Sequence, residues 1–408
     1  MKILHTSDWH LGHSLCGRRR HEEHEAFLRL LPAVLSAEGV DALLIAGDIF
    51  DGVSPGVRTQ EIYYRFLCSV AGSGCRHVVI IAGNHDSPSF LTAPRDLLRN
   101  LHIHVFGAAT GGPEEEVLTL RDARGAPECV VCAVPFLRDR DIRVAEPGES
   151  QADKEAKLLR GIRGRYARVA ALAEEARAAS GNPALPVLGM GHLFAAGGIS
   201  VEGDGVRDLY LGGLVRVEAS AFPPAMDYVA LGHLHKPQRV GGSDRIRYCG
   251  SPLPLSFGEA REEKSLCLVT FAGRQATARA LPLPEFRRLE SIRGDWTAIA
   301  GRLSALAAEG ADAWLEILYE GEDLLPDLGQ DLRKAVRNTG LEILRVRNAR
   351  LMARVLGRDR EEEGPDALDV DEVFERCLAA HGIPEDQRYE LRRAHGEILA
   401  DLRSEEAE

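Results

Sequence analysis

Between Lys2 and Pro237 a short apolar run five times breaks off into a cluster of Asp, Asn, His and Gly. The runs span residues 2–6, 42–46, 77–82, 185–190 and 226–231, and they end at Ser7-Asp8, Gly47-Asp48, Gly83-Asn84, Gly191-His192 and Gly232-His233. Continuous apolar runs of this length read as strands buried on both faces. Helical patterns at residues 22–35 and 59–70 lie between the early ones, so strand and helix alternate as in a layered α/β domain. In such sheets ligands bind in the crevice outside the carboxyl ends of the strands. Five polar strand ends are therefore expected at one crevice. A longer helical stretch, 153–179, carries apolar residues at helical spacing and is expected to flank the sheet.

The residue types at these ends narrow the chemistry. They are Asp8-x-His10, Gly47-Asp48, Gly83-Asn84-His85-Asp86, Gly191-His192 and Gly232-His233-Leu234-His235. A glycine before a ligand lets the chain turn sharply and present the next side chain. Any single member has an ordinary structural explanation: a cap, a core histidine, a turn. The ordered set does not. It offers more nitrogen and oxygen ligands than one ion takes, and enough for two. Two divalent ions bridged by a carboxylate suit displacement at phosphorus. With charge +4 against −2 from Asp8 and Asp48, the site would keep +2 for a phosphodiester. A shell of imidazole and carboxylate without thiolate favours manganese or iron.

These motifs resemble the calcineurin-like metallophosphoesterase superfamily, whose signature is D-x-H, G-D, G-N-H, G-H and G-H-x-H in that order. The resemblance spans about residues 1–260. More narrowly, Thr6–Gly12, Gly47–Asp51, Gly83–Pro88 and Gly232–Pro237 are similar to the bacterial SbcD exonuclease subunits. The resemblance implies a layered metallophosphoesterase fold, a β-sandwich flanked by helices, followed by a smaller α+β capping domain and a C-terminal helical segment. It implies one metal ion on Asp8, His10, Asp48 and His235, and a second on Asp48, Asn84, His192 and His233, with manganese expected. His85 would stand beside the phosphate and stabilise or protonate the leaving oxygen. Asp51 matches the position that orients this histidine in related phosphatases, so an Asp51–His85 pair is expected. The implied activity is metal-dependent cutting of DNA as exonuclease and endonuclease, on double-stranded ends and hairpins. The implied partners are an SbcC-type ATPase and a second copy in a homodimer.

The rest of the chain is read around that core. Residues 1–284 are expected to form the metallophosphoesterase domain and 285–350 the capping domain. Residues 351–368 read as a charged linker and 369–408 as amphipathic helices that dock on the partner. No G-x-x-x-x-G-K-[ST] phosphate loop occurs, so ATP dependence must come from another polypeptide. The formal charge of −12 argues against a protein that coats nucleic acid by bulk electrostatics. Local basic patches are the remaining route to DNA. Arg18, Arg19 and Arg20 are candidate phosphate contacts with a solvated loop as the equal alternative, and Arg58, Arg138 and Arg140 are weaker ones. Lys236 and Ser251 are candidate substrate contacts beside the last motif. His5, His13, His21, His24, His102 and His104 match no motif position and read as structural or exposed. Cys129 and Cys132 have C-x-x-C spacing inside an apolar run and read as core thiols. With no stretch of 18 apolar residues and no signal segment, a soluble cytoplasmic protein without membrane contact is expected. Two other functions compete: a phosphodiesterase for a small substrate, and a non-catalytic scaffold on the same fold.

Overall fold

Residues 1–109, 111–144, 146, 148–195, 217–321 and 328–348 are described in the structure, a computed structural model, together with 374, 375, 378, 388, 391–393 and 395. In chain order the first strands are β1 (Lys2–Thr6), β2 (Ser14–Leu15), β3 (Arg18–Arg19), β4 (Ala42–Ala46), β5 (His77–Ile81) and β6 (Ile103–Phe106). There follow β7 (Val117–Arg121), β8 (Pro127–Ala133), β9 (Val187–His192), β10 (Tyr228–Gly232), β11 (Gln238–Arg239) and β12 (Ile246–Tyr248). The series ends with β13 (Ser265–Ala272), β14 (Gln275–Pro282), β15 (Arg288–Gly294), β16 (Ala313–Tyr319) and β17 (Leu341–Asn348). The helices are α1 (His21–Glu38), α2 (Val57–Val70), α3 (Pro88–Thr92), α4 (Arg95–Arg99), α5 (Asp139–Ile142), α6 (Gln151–Ala179), α7 (Trp296–Ala308) and α8 (Leu328–Ala335). The chain divides into two compact units, Met1–Leu289 and Glu290–Glu408.

The first unit holds two six-stranded sheets, in the orders β14-β13-β1-β4-β5-β6 and β11-β12-β10-β9-β8-β7. Within the first, β1, β4, β5 and β6 run parallel; within the second, β8, β9, β10 and β12 do. Side chains alternate across each strand, and the sequence supplies apolar residues for both faces. Leu44, Val79 and Ile81 of one sheet meet Val131, Leu188 and Met190 of the other in a shared core. Leu43, Ile45 and Ile80 turn the opposite way, onto Phe27 and Leu31 of α1 and Phe66 of α2. Val130 and Val187 turn onto Tyr166 and Val169 of α6. The architecture is thus a sandwich of two sheets with helices on the outer faces. His5 stitches the sheets together, its Nδ1 3.0 Å from Tyr228 Oη and its Nε2 3.1 Å from the Leu231 carbonyl.

Cys129 belongs to the core between the sheets and Cys132 to the core under α6. Three residues apart on one strand they face opposite ways, so they form no thiol pair. The strand expected over 185–190 runs instead from Val187 to His192, since Pro186 has no N–H for the ladder. The outer hairpin β13–β14 was not expected from the sequence. Its second strand is largely exposed and lacks an apolar run.

In the second unit β15, β16 and β17 form a three-stranded sheet, with β16 and β17 parallel. Its core joins Ile299, Leu303 and Leu306 of α7 to Leu315 and Ile317 of β16 and Leu332 of α8. Asp295 caps α7 by accepting from the Ala298 N–H at 2.8 Å. The expected linker, 351–368, lies outside the described residues, as does most of 369–408. From that stretch, Phe374 stacks on His395 with ring centroids 3.9 Å apart, and Arg392 pairs with Glu375 at 2.5 Å. Among the described residues no helix is long and apolar enough to cross a membrane.

Candidate metal centre

The carboxyl ends of β1, β4 and β5 and those of β9 and β10 each continue into one of the polar clusters. The loops after β1 and β4 run side by side: Asp8 N–H donates to Gly47 O at 3.0 Å, His10 N–H to Asp48 O at 3.0 Å and Leu11 N–H to Ile49 O at 2.9 Å. The loop after β5 is clamped to them by Asp86, whose buried carboxylate accepts from the N–H groups of Ile49 at 3.2 Å, Phe50 at 2.9 Å and Gly83 at 2.8 Å. Burial, with Asp48 nearby, raises the Asp86 pKa to about 6. Two glycines are required by close approach. A Cβ on Gly83 would collide with the Asp48 carboxylate, and one on Gly232 with the Ala46 carbonyl.

Among the described residues three groups of side chains result; one joins His10 to Asp51 and His85, and the other two are buried throughout. In the first of these two, a ligand atom from each of Asp8, His10 and His235 lies within 4.8 Å of the others; in the second the same holds for Asp48, His192 and His233. All six are buried. Asn84 joins the second group, its Oδ1 3.0 Å from His192 Nε2 and 3.1 Å from His233 Nδ1. His10 Nε2 stands 3.6 Å from Asp48 Oδ2, which places Asp48 between the groups.

Donor chemistry shows that these groups fit divalent ions. His192 Nδ1 lies 2.9 Å from the Ala46 carbonyl, which can only accept, so that nitrogen carries the ring proton. Nε2 is left facing Asp48 Oδ2 at 3.2 Å and Asn84 Oδ1 at 3.0 Å. A buried point where an imidazole nitrogen faces two oxygen acceptors calls for positive charge, which a divalent ion or a proton on Nε2 supplies. Similarly, His10 Nδ1 is held 3.2 Å from Asp51 Oδ1, while Nε2 of His10 and Nε2 of His233 are buried without a hydrogen-bond partner. At His192 burial works against a charged ring, yet Asp48 outweighs it and raises the pKa to about 9. Burial likewise opposes ionisation of Asp48, but His192 holds its carboxyl well below the usual range. Burial lowers His233 to about 3, pushes His10 down and pushes Asp8 up.

Other expectations need correction. The Asp51 carboxylate does not pair with His85. It sits 3.2 Å from His10 Nδ1 and 3.1 Å from His13 Nδ1, and His85 Nδ1 instead meets the Asp51 main-chain carbonyl at 3.1 Å. The turn after Asp48 aims the carbonyl at His85 and the side chain back toward β1. His13, read as structural or exposed, is the second imidazole on Asp51, with its Nε2 3.0 Å from Leu255 O. Arg20 is fully buried, bonded to Glu23 at 3.0 Å and to the Pro254 carbonyl, so it is no DNA contact. Arg18 and Arg19 are exposed on β3. Ser251 is buried and donates to Leu253 O at 2.8 Å, while Lys236 is exposed and pairs with Glu262 at 3.2 Å.

Sequence reading missed the support behind His235. Its Nδ1 lies 3.4 Å from Glu259 Oε1, and Glu259, fully buried, pairs through Oε2 with Lys264. Lys264 also reaches His235 O at 3.2 Å. The stretch Gly258-Glu-Ala-Arg-Glu-Glu-Lys264 reads as a solvated charged turn, and nothing in it marks Glu259 as buried.

The calcineurin-like phosphoesterase family matches residues 1–237, and the type 5 capsule protein repressor C-terminal domain matches residues 285–382. The SbcD subunit of the SbcCD nuclease from Escherichia coli strain K12 is 36% identical over 408 residues, covering 99% of each chain. The protein of the same name from Rhodobacter capsulatus is 41% identical over 70% of this chain and 69% of its own. That of Bacillus subtilis strain 168 is 32% identical over 86% of this chain and 83% of its own. The chain belongs to the calcineurin-like phosphoesterases and, within them, to the family of SbcD subunits of SbcCD nucleases.

Proposed function

We propose that the chain is the nuclease subunit of an SbcCD-type complex, a manganese-dependent hydrolase of DNA phosphodiester bonds. Within that reading it acts with an SbcC-type ATPase as an ATP-dependent double-strand exonuclease and a single-strand and hairpin endonuclease, serving repair, recombination and replication in the cytoplasm. It works as a homodimer. Residues 1–284 form the nuclease domain and 285–350 the cap; 351–368 link to a partner-binding helical segment, 369–408. The relatives named as SbcD subunits of SbcCD nucleases support the DNA substrate and the partner. The observation that carries the reading is the convergence of buried acceptors at Asp48, His192 and Asn84, with unpartnered Nε2 atoms on His10 and His233.

In this reading Asp8, His10, Asp48 and His235 hold one ion, and Asp48, Asn84, His192 and His233 hold the other. Bound there, divalent ions supply electrophilic stabilisation of the phosphoryl oxygens and activation of water. The chain's own residues do the rest. Asp8 and Asp48 bring two negative charges against four ion charges, which leaves the site attractive to a phosphate. Ala46 O and Asp51 fix the proton on Nδ1 of His192 and of His10, so that Nε2 is the ligating atom of each. His85, its ring centroid 4.9 Å from that of His10, is bonded through Nδ1 to the Asp51 carbonyl. Its Nε2 is thereby turned to the site, where the doubly protonated ring would give its Nε2 proton to the leaving oxygen and be left neutral with Nδ1–H still on the carbonyl. The test incubates the purified chain, with and without its ATPase, with manganese and hairpin-capped duplex. Cutting by the complex, abolished in Asp48→Asn, is expected. A complex that binds two manganese ions per chain and leaves both ends and hairpins intact would refute the reading.

A further inference from the structure

The described surface of the first unit contains a cavity of about 860 Å³ bounded by edge strands β6 and β7 together with α3 and α4. Five arginines line it, Arg95, Arg99, Arg138, Arg140 and Arg165, against the carboxylates of Glu115 and Glu116. The balance 5 − 2 gives +3 in a chain whose formal charge is −12. Arg165 is committed to Glu116, with Nε 2.9 Å from Oε2. Arg95, Arg99 and Arg138 have no salt-bridge partner among the described residues, and Arg140 only approaches Asp141, at 3.8 Å. Arginines left without carboxylates along a concave surface are poised for phosphate, which a guanidinium binds through two parallel hydrogen bonds.

Two stretches of chain connect the lining of the groove to the candidate metal centre. Phe136 N–H donates to Ala82 O at 2.9 Å, immediately before Gly83-Asn84-His85, and the Phe136 ring lies 6.4 Å from that of His192. Arg138 follows two residues later, roughly 7 Å further at full extension. Pro88 and Ser89 also line the groove and follow His85 closely in the chain. These chain connections make the groove the path we assign to a strand whose scissile phosphate sits among the side chains of that centre.

We infer that this groove binds the phosphodiester backbone of the DNA strand running from the cleavage site, with Arg95, Arg99, Arg138 and Arg140 as its phosphate contacts. The inference rests on the nuclease reading and adds to it the path of the substrate. It also explains how an acidic chain holds DNA: the charge is local, where a strand must pass.

The test combines Arg95→Gln, Arg99→Gln, Arg138→Gln and Arg140→Gln in the full chain with manganese. Affinity for a labelled single-stranded oligonucleotide is measured over a salt series, alongside hydrolysis of bis(4-nitrophenyl) phosphate. The salt slope of log K should fall by about 0.7 for each arginine that meets a phosphate, up to about 2.8 for four. Turnover of the small ester should be unchanged, and the matching lysine variant should recover most of the slope. Wild type and variant with the same slope would overturn the groove and leave the nuclease reading standing. Equal loss of small-ester turnover would overturn it as well, because the arginines would then be supporting the fold. Wild type that hydrolyses the ester but neither binds nor cuts DNA would bring down the nuclease reading first. Displacement of the oligonucleotide by poly-glutamate at equal charge would assign the groove to an acidic protein instead.

Discussion

The carboxylate behind His235 allows the two halves of the metal centre to be separated. Glu259 is fully buried and Lys264 nearly so, and they form an ion pair. Replacing Glu259 alone would strand the Lys264 ammonium, which costs about 3–5 kcal/mol and would confuse any functional readout. The double variant Glu259→Gln, Lys264→Met removes both charges at similar volume and should leave stability nearly unchanged. What it takes away is the negative charge 3.4 Å from His235 Nδ1. Carboxylates in that position orient the ring and raise its basicity, and losing one weakens metal binding by about 10–100-fold, or about 1.4–2.7 kcal/mol. His235 belongs to the group with Asp8 and His10, whereas Asp48, His192 and His233 form the other. Calorimetric titration with manganese should therefore show two equivalents in the wild type, and in the double variant one site weakened and one intact. Equal weakening of both, or no change in a folded variant, would refute the assignment of His235 to a single ion.

Further substitutions test other parts of the site. His85→Asn should abolish phosphodiester turnover with both manganese ions retained, measured by assay and metal analysis; loss of an ion would make His85 a ligand. Asp51→Asn keeps the main-chain carbonyl on His85 but weakens the hold on His10, so manganese affinity should fall about tenfold with turnover restored at saturating metal. Arg20→Met should cost about 3–5 kcal/mol in urea unfolding, because it leaves Glu23 buried without its partner, and should not change the salt dependence of DNA binding. His5 has its pKa lowered by burial to about 3, so the unfolded chain binds its proton more readily, and stability is lost as pH falls below about 6.5. From about pH 7.5 to about pH 5, the wild type should lose about 2 kcal/mol more than His5→Asn in chelator-treated urea melts. Parallel losses would show that His5 is not buried neutral.

How much of this the sequence revealed depends on whether a residue's role is set locally. An apolar run that stops at Gly-Asp or Gly-Asn-His declares both the strand and its polar end, so β1, β4, β5 and β10 and the loops after them that bring Asp, Asn and His side chains together were readable. In the smaller unit the helical period of Trp296–Ala308 and the strand pattern of Ala313–Tyr319 differ sharply, which makes both elements legible from sequence. Roles set by long-range contact were not. Three consecutive arginines look solvated, yet Arg20 is drawn inward by Glu23 and by Pro254, 234 positions away. The direction of the Asp51 side chain depends on the turn after Asp48, and the sequence could suggest the residue without saying which of its oxygens faces His85. Glu259 and Lys264 neutralise one another in the interior, and neither carries a motif.

Backbone geometry shows how the fold divides the work of forming the centre. Asp8, His10, Asp48 and His233 all stand at positive φ, 53°, 45°, 49° and 106°. Such conformations cost non-glycine residues on the order of 1–3 kcal/mol each and persist only where the surroundings hold them. Here the surroundings are protein groups: the paired loops after β1 and β4, the Asp86 clamp, the Asp8 carboxylate on the His233 N–H at 2.8 Å and the Asp48 carboxylate on the His85 N–H at 2.9 Å. Each aspartate therefore uses an oxygen to fix the backbone of a neighbouring histidine loop as well as to face the ligand cluster. Ion binding has little chain left to order, and its free energy can go into affinity and charge. The same arrangement predicts that asparagine at Asp8 or Asp48 would both remove a negative charge from the cluster and weaken the bond that shapes the neighbouring histidine loop.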